Sequence, residues 1–272
     1  MRKSLKILKI FGLVGLIIFI IYKLLFQLLH AFRSSLILFE FVEKHGFSMV
    51  SEKGLVKING LPNFFNKSLF FRPFTTDALV VRQHFFDNEL LPIIKYFKST
   101  NICPKLMIDA GGNIGVTSCY MHWYFPGMRS LVLEPSIDNI QIAKMNLGNE
   151  KTTILNKALW WKEEILFLDN SQSAWAMKVS NSDNKGKIVK GISLSKILSS
   201  DEFKTPDYIK IDIEGSEEAI FENDKDLDIL MSYVSCISVE PHSQYGKELI
   251  LKKLTEWKFR IEYHGELIIG FR

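Results

Sequence analysis

Four apolar runs in this 272-residue chain end in groups able to do chemistry. Residues 105–109 end on a carboxylate and pass at once into Asp109-Ala110-Gly111-Gly112-Asn113-Ile114-Gly115. Glycine tolerates positive φ and leaves bare backbone for a ligand to approach, and asparagine enters the left-handed region readily. Residues 130–133 lead to Glu134, nineteen positions beyond Gly115. At that distance a carboxylate is placed to accept hydrogen bonds from the hydroxyls of a ribose. Residues 208–213 carry Asp212 and reach Glu214, two positions on, so both project from one face while the chain stays extended. Ser238-Val239-Glu240-Pro241-His242 closes on a carboxylate and an imidazole.

The glycine spacing separates two classes of cofactor. A dinucleotide asks for G-x-G-x-x-G, with the pyrophosphate on a helix N-terminus. Here the spacing is D-x-G-x-N-x-G, which suits a ligand with a positive amino group and no phosphate, a description that S-adenosylmethionine meets. Methyl transfer to oxygen needs the acceptor aligned and its proton removed. A carboxylate or the neutral His242 imidazole can take that proton. A hard divalent ion such as magnesium, held by the same carboxylates, would lower the hydroxyl's pKa instead. The residues leave this choice, and the metal ligands, open. Lys210, inside an apolar strand, either pairs with a carboxylate or reaches solvent, and Glu217 and Glu218 read as a solvated helix face.

Strands and helices must alternate to position these groups. The patterns predict helices over residues 114–125, 137–147, 215–222 and 244–257, and strands over 152–155, 165–168 and 234–239. A final pair of strands within 259–271 folds at His264-Gly265, and 170–186 reads as a polar loop with Trp175 as an aromatic plug. Such alternation implies a parallel sheet with one antiparallel strand from the terminal hairpin.

Charge divides the chain differently. Six basic residues and no acidic one precede Glu40, so the net charge of +4 belongs to the N-terminus. No basic stripe with interleaved aromatics follows, which argues against nucleic acid as a partner. Residues 10–22 are unbroken apolar, and the hydrophobic stretch runs to Phe32 with Lys23, Gln27 and His30 on one helical face. Residues 1–39 are therefore expected to form a membrane-anchor helix, in contact with the bilayer over 5–32 and with the body in the cytoplasm. Residues 40–100 read as a helical lid region and 101–272 as the cofactor-binding domain. Cys103, Cys119 and Cys236 lack metal or disulfide spacing and read as small buried hydrophobes.

The glycine turn, Leu133-Glu134-Pro135-Ser136, Ile209-Lys210-Ile211-Asp212-Ile213-Glu214-Gly215-Ser216-Glu217 and Val239-Glu240-Pro241-His242 together resemble the FkbM family of methyltransferases, over about residues 68–271. Arg72-Pro73-Phe74-Thr75-Thr76-Asp77 is similar to the segment that family carries ahead of its cofactor domain. The resemblance implies a Rossmann-like α/β fold with the seven-stranded, mostly parallel sheet of class I methyltransferases. It also implies S-adenosylmethionine as donor and a hydroxyl, often on a sugar or polyketide-type product, as acceptor. By position, Asp109, Gly111, Asn113 and Gly115 would form the methionine-side turn and Glu134 would hold the ribose. Ala158 would lie near the adenine, and Asp212 and Glu214 would face the transfer site. Gly112 departs from the family's more frequent alanine. The N-terminal hydrophobic segment, absent from many members, favours a membrane-associated acceptor such as a glycan or glycolipid. The expected catalytic set is Asp212, Glu214, Glu240 and His242. Two rivals stand beside this reading: a catalytically silent membrane-anchored scaffold and a nucleotide-dependent oxidoreductase.

Overall fold

The computed structural model describes residues 46–60, 68–148, 150–168, 179–180, 187–223 and 227–272, with Ile17, Ile20, Ile21, Arg33 and residues 35–40 and 42–44. Among the described residues no helix is long and apolar enough to cross a membrane. Residues 5–32, the expected membrane contact, lie outside the described residues save for Ile17, Ile20 and Ile21, which are helical and half exposed. Helical residues 35–40 and 42–44 pack on the body through Leu38 and Val42, both buried.

The region expected to be a helical lid also contains strands. β1 (Ser48–Glu52), β2 (Leu55–Asn59) and β3 (Leu69–Phe71) form an antiparallel sheet, followed by α1 (Asp77–Phe85) and α2 (Leu91–Ser99). The hairpin between β1 and β2 turns at Lys53-Gly54, both at positive φ, a local signal that the Phe-rich composition obscured.

The remainder alternates as the patterns predict: β4 (Leu106–Ala110), α3 (Val116–Tyr124), β5 (Arg129–Leu133), α4 (Ile137–Leu147) and β6 (Thr152–Leu155). Then come β7 (Lys157–Leu159), β8 (Ile165–Leu168), β9 (Val179–Ser180), β10 (Lys187–Ile192), α5 (Leu194–Leu198) and β11 (Tyr208–Ile211). The chain finishes with α6 (Glu217–Asn223), α7 (Leu227–Met231), β12 (Cys236–Val239), α8 (Gln244–Glu256), β13 (Arg260–His264) and β14 (Leu267–Phe271). Seven strands form the central sheet in the order β13-β14-β12-β11-β4-β5-β6. The pairs from β12 through β6 are parallel, and β14 runs antiparallel to both its neighbours. A smaller sheet, β7-β10-β8-β9, lies outside it. That sheet was not foreseen beyond the strand at 165–168. The loop expected at 170–186 lies outside the described residues apart from β9, and so does Trp175.

Period-two alternation divides the central sheet between two apolar layers. Ile108 and Ala110 of β4, with Ile209 and Ile211 of β11, face one layer, which includes Ile220, Phe221, Ile250 and Leu254. Met107 and Tyr208 face the other, with Ile93, Phe97 and Tyr120. Ser136 and Ser243 cap α4 and α8 by accepting from the Asn139 and Gly246 amides. Asn146 on α4 binds the N-terminal sheet to the core. Its Oδ1 accepts from the Phe70 amide at 2.7 Å, and its Nδ2 donates to the Phe70 and Ile114 carbonyls. His84 does the same for α1: Nδ1 donates to the Val80 carbonyl and Nε2 accepts from the Thr117 hydroxyl at 2.8 Å. Burial, aided by the charge of Lys210, lowers its pKa to about 3, so the ring is neutral. Cys119 and Cys236 are buried as expected, but Cys103 is exposed, because it precedes β4 in the surface connection from α2.

Candidate active site

The strand order reverses at β4. The chain runs outward through β5 and β6, then returns to the far side of β4 as β11, and at such a switch point the loops diverge and leave a crevice at the strands' carboxyl ends. A cavity occupies it. Gly111 and Asn113 line it after β4, Glu134 after β5, and Asp212, Glu214 and Ser216 after β11. Ala158 of β7 and Glu240 after β12 complete the part that the sequence anticipated.

Gly111 sits at φ +77°, and a Cβ placed there would lie 1.7 Å from the Asp212 carbonyl oxygen. The bare backbone is what lets the β4 and β11 exits approach. Asn113, at φ +48°, donates its amide to Glu134 Oε2 at 2.8 Å. Glu134 Oε1 accepts from the Ser136 amide at 2.8 Å and the Asn139 side chain at 3.2 Å. Three of its roughly four acceptor positions are thus filled, which leaves about one for a ribose hydroxyl. Burial raises its pKa to about 7 against those hydrogen bonds. Two expected turn residues do not reach the cavity. Asp109 is fully buried beneath it, accepting from Ser118 Oγ at 2.8 Å with Lys210 Nζ at 3.9 Å. Gly115 opens α3 at φ +80° and faces Leu147 and Ala143 instead. Gly112 also has a packing reason: a Cβ there would meet Val132 Cγ1 at 2.2 Å.

The transfer side is rich in acid. Lys210, buried, places Nζ 3.0 Å from Asp212 Oδ2 and donates to the Gly111 carbonyl at 3.3 Å. Burial opposes its charge, but Asp212 and Asp109 hold its pKa above the ordinary value. His242 Nδ1 donates to Glu217 Oε1 at 3.1 Å, and its Nε2 lies 3.4 Å from Glu214, 3.6 Å from Glu240 and 3.9 Å from Asp212. Burial lowers the imidazole's pKa, yet Glu217, Glu214 and Asp212 raise it to about 9. The surrounding carboxylates thus favour the imidazolium over the free base that the sequence allowed. Burial and Asp212 raise Glu214 to about 7 and Glu240 to about 8.

Glu217 corrects another expectation. It is buried rather than solvated, and Oε1 also accepts from the Ile213 and Gly215 amides. Glu214 and Gly215 at φ +59° and +91° turn the chain back on itself, which is why a residue on the following helix can cap this exit. Glu266, in the β13–β14 turn, and Gln83 of α1 also line the cavity and gave no signal in the sequence. Glu89 stands 3.7 Å from the Cβ position of Gly265, and burial raises it to about 7.

The N-terminal layer reaches Glu134 through one chain of contacts. Arg72 pairs with buried Asp77 through Nε and Nη2, at 2.8 Å each, and Nη2 also donates to Asn139 Oδ1 at 2.7 Å. Asn139 in turn donates to Glu134. Arg72→Ala is expected to weaken cofactor binding roughly five- to tenfold and to lower stability by about 1–3 kcal/mol, because Asp77 is left buried and unpaired. Arg72→Lys should not restore binding, since one ammonium cannot reproduce the fork. Titration calorimetry beside thermal melting checks this, and an unchanged dissociation constant for Arg72→Ala would disconnect the layer from the site.

The residues fit S-adenosylmethionine. The cavity lies where the glycine turn, Glu134 and the β11 exit meet, and its acid-rich wall suits a sulfonium and an ammonium. Asn113 Oδ1 and Ser216 Oγ, on wall residues, are buried without a hydrogen-bond partner among the described residues. Magnesium fits less well. Asp212, Glu240 and His242 offer ligand atoms within 4.8 Å of one another, but one of these is nitrogen and is held as an imidazolium, and Lys210 already neutralises Asp212. A hard cation prefers oxygen in octahedral array.

The raised pKa values set a pH dependence. Glu89, Glu134, Glu214 and Glu240 have folded values above their unfolded ones, so the stability linked to their protonation is full below about 4.5 and lost as pH rises through 7–8. His242 adds stability below about 6.5 that is lost as pH rises through 9. His84 acts only below 6.5 and in the opposite sense. The melting temperature of the protein without cofactor is expected to fall by several degrees between pH 6.5 and 9. The fall should be smaller with the cationic cofactor bound, and a flat profile without cofactor would contradict these environments.

Known proteins place this arrangement. A family model described as the methyltransferase FkbM domain matches residues 109–264. No curated protein matches the chain. Among solved structures, similarity extends to precorrin-6y C5,15-methyltransferase from Geobacter metallireducens, at 12% identity and a TM-score of 0.40, covering 62% of this chain and 80% of that one. The ribosomal protein L11 methylase from Lactobacillus delbrueckii matches at 14% identity and a TM-score of 0.36, with 67% and 77% covered. A methyltransferase from Geobacter sulfurreducens matches at 13% and 0.38, with 68% and 78% covered.

Proposed function

The chain belongs to the FkbM methyltransferase family and is an S-adenosylmethionine-dependent methyltransferase; from that premise we propose that it methylates a hydroxyl of a glycan or glycolipid at a membrane. One observation carries the choice of a hydroxyl: Glu240 lines both the cofactor cavity and a second cleft beside it, which is lined by His242. An acceptor entering from that cleft meets a carboxylate before it meets the cofactor.

Held by Gly111, Asn113 and Glu134, the cofactor would supply a methyl on positive sulfur, whose transfer to the acceptor oxygen would leave the carbon–sulfur bonding pair on sulfur. The proton leaving that oxygen goes to the ionised form of Glu240, which its raised pKa makes a stronger base than an ordinary glutamate and which grows in population as pH rises above neutral. His242, as an imidazolium 3.6 Å from Glu240, steadies the carboxylate form and is itself held by Glu217. Asp212, committed to Lys210, shapes the wall rather than taking the proton.

Membrane attachment belongs to the same proposal and is supported by the apolar run at 10–22 and its basic flank. The full chain should sediment with anionic liposomes, and in the cell the body should lie on the cytoplasmic side of the membrane.

The test is transfer of labelled methyl from S-adenosylmethionine to a cell-envelope extract by the full chain. Label is expected in carbohydrate-bearing material and should survive alkaline hydrolysis, as an ether does and an ester does not. Glu240→Gln should lower turnover at saturating cofactor by about 10²–10⁴, and EDTA should leave the rate unchanged. Cofactor binding without transfer to any fraction would favour the scaffold, and displacement of the cofactor by NAD would favour the oxidoreductase.

A further inference from the structure

The second cleft lies beyond Glu240 at the edge of the sheet and shares Glu240 and Glu266 with the cofactor cavity. His242, Lys247 and Tyr263 line it, with Leu267 of β14 among the apolar residues behind. Tyr263 is 60% exposed, a large aromatic left uncovered on β13, and the Lys247 ammonium stands 5.5 Å from its ring.

We propose that this cleft is the acceptor subsite and that it takes an uncharged sugar ring, stacked on Tyr263 with adjacent hydroxyls donating to Glu266, so that a further hydroxyl reaches Glu240. The chemistry of the lining selects this class. A phosphate or carboxylate would face Glu240 and Glu266, while both cations of the lining are already engaged, His242 by Glu217, Glu214 and Glu240 and Lys247 over the Tyr263 ring, and like charges brought together cost affinity. A purely apolar acceptor would cover the carboxylates without giving them hydrogen bonds. A polyol satisfies both requirements: its C–H face covers the aromatic ring and its hydroxyls donate to the acids. The inference rests on the methyl-transfer reading of the adjoining cavity.

The test uses the full chain in detergent with saturating S-adenosylhomocysteine and saturation-transfer NMR on three sets of probes. These are the methyl glycosides of glucose, galactose and mannose, of glucosamine, and of glucuronic acid. Ring protons of at least one neutral glycoside should receive saturation from the wild type. Tyr263→Ala and Glu266→Gln should each weaken that binding about tenfold, while Tyr263→Trp retains it. Calorimetric affinity for S-adenosylhomocysteine should stay within about twofold in the Tyr263 variants, which lie outside the cofactor cavity, and Glu266→Gln should melt like the wild type, which separates a local loss from misfolding. Neutral glycosides that bind the variants as well as the wild type would remove the subsite from this cleft. Preference for the glucosamine or glucuronic acid probe, or no glycoside binding while S-adenosylhomocysteine binds, would overturn the substrate class. Failure of the wild type to bind S-adenosylhomocysteine would instead strike the methyl-transfer reading beneath it.

Discussion

Gly111→Ala is expected to abolish measurable cofactor binding, raising the dissociation constant more than about 100-fold, and to destabilise the protein by about 3 kcal/mol or more. Two costs add. Alanine at φ +77° is strained by roughly 1 kcal/mol. The new methyl would also lie 1.7 Å from the Asp212 carbonyl oxygen and 2.8 Å from its carbon. Both are backbone atoms, which cannot rotate away, so β4 and β11 must separate at the cavity wall. Gly127→Ala, where an added Cβ meets nothing within 4 Å, is the matched control. Calorimetry on both variants decides the matter, and wild-type affinity in Gly111→Ala would show that the strand exits are not held this closely.

Lys210→Met is expected to cost about 3–5 kcal/mol, the penalty of leaving buried carboxylates without their cation. For a chain of this size that is a fall in melting temperature of roughly 6–20 °C. Asp109 is fully buried and already has one oxygen without a hydrogen-bond partner among the described residues, so Lys210 supplies its nearest compensating charge. The double variant Lys210→Met/Asp109→Asn should recover part of the loss, because the neutral amide removes the stranded charge. A Lys210→Met protein that melts like the wild type would mean that Asp109 is protonated in the native state, a direction in which burial already pushes it.

Local chemistry made much of the central fold and site legible. The glycine turn, Glu134, Asp212 with Glu214, and Glu240 with His242 all lie where an apolar run ends, and the structure brings Gly111, Asn113, Glu134, Ala158, Asp212, Glu214 and Glu240 to one cavity. The strand and helix patterns that carry them have periods of two and 3.6 residues, which neighbours in sequence express directly. Residues 40–100 were read as helical because their strands are short and rich in phenylalanine, so period-two alternation had little length in which to appear.

The sequence by itself determined the order of strands and helices around the central sheet, the acidic strand ends and the conformation of the glycine turn, because each of these follows from residues next to one another in the chain. Tertiary structure alone decided that Asp109 lies under the cavity with Lys210, that Glu217 is buried against His242, and that Arg72 steadies Asn139 from 67 positions away. It alone opened a second cleft between the end of β12 and the β13–β14 turn. The physical reason is strand pairing. β14 lies against β12, so Glu266 and Tyr263 come beside Glu240, and β11 inserts against β4, so Lys210 comes opposite Asp109. Charge and burial at each of these groups depend on a partner distant in sequence, and pairing over such separations leaves no local periodicity to read.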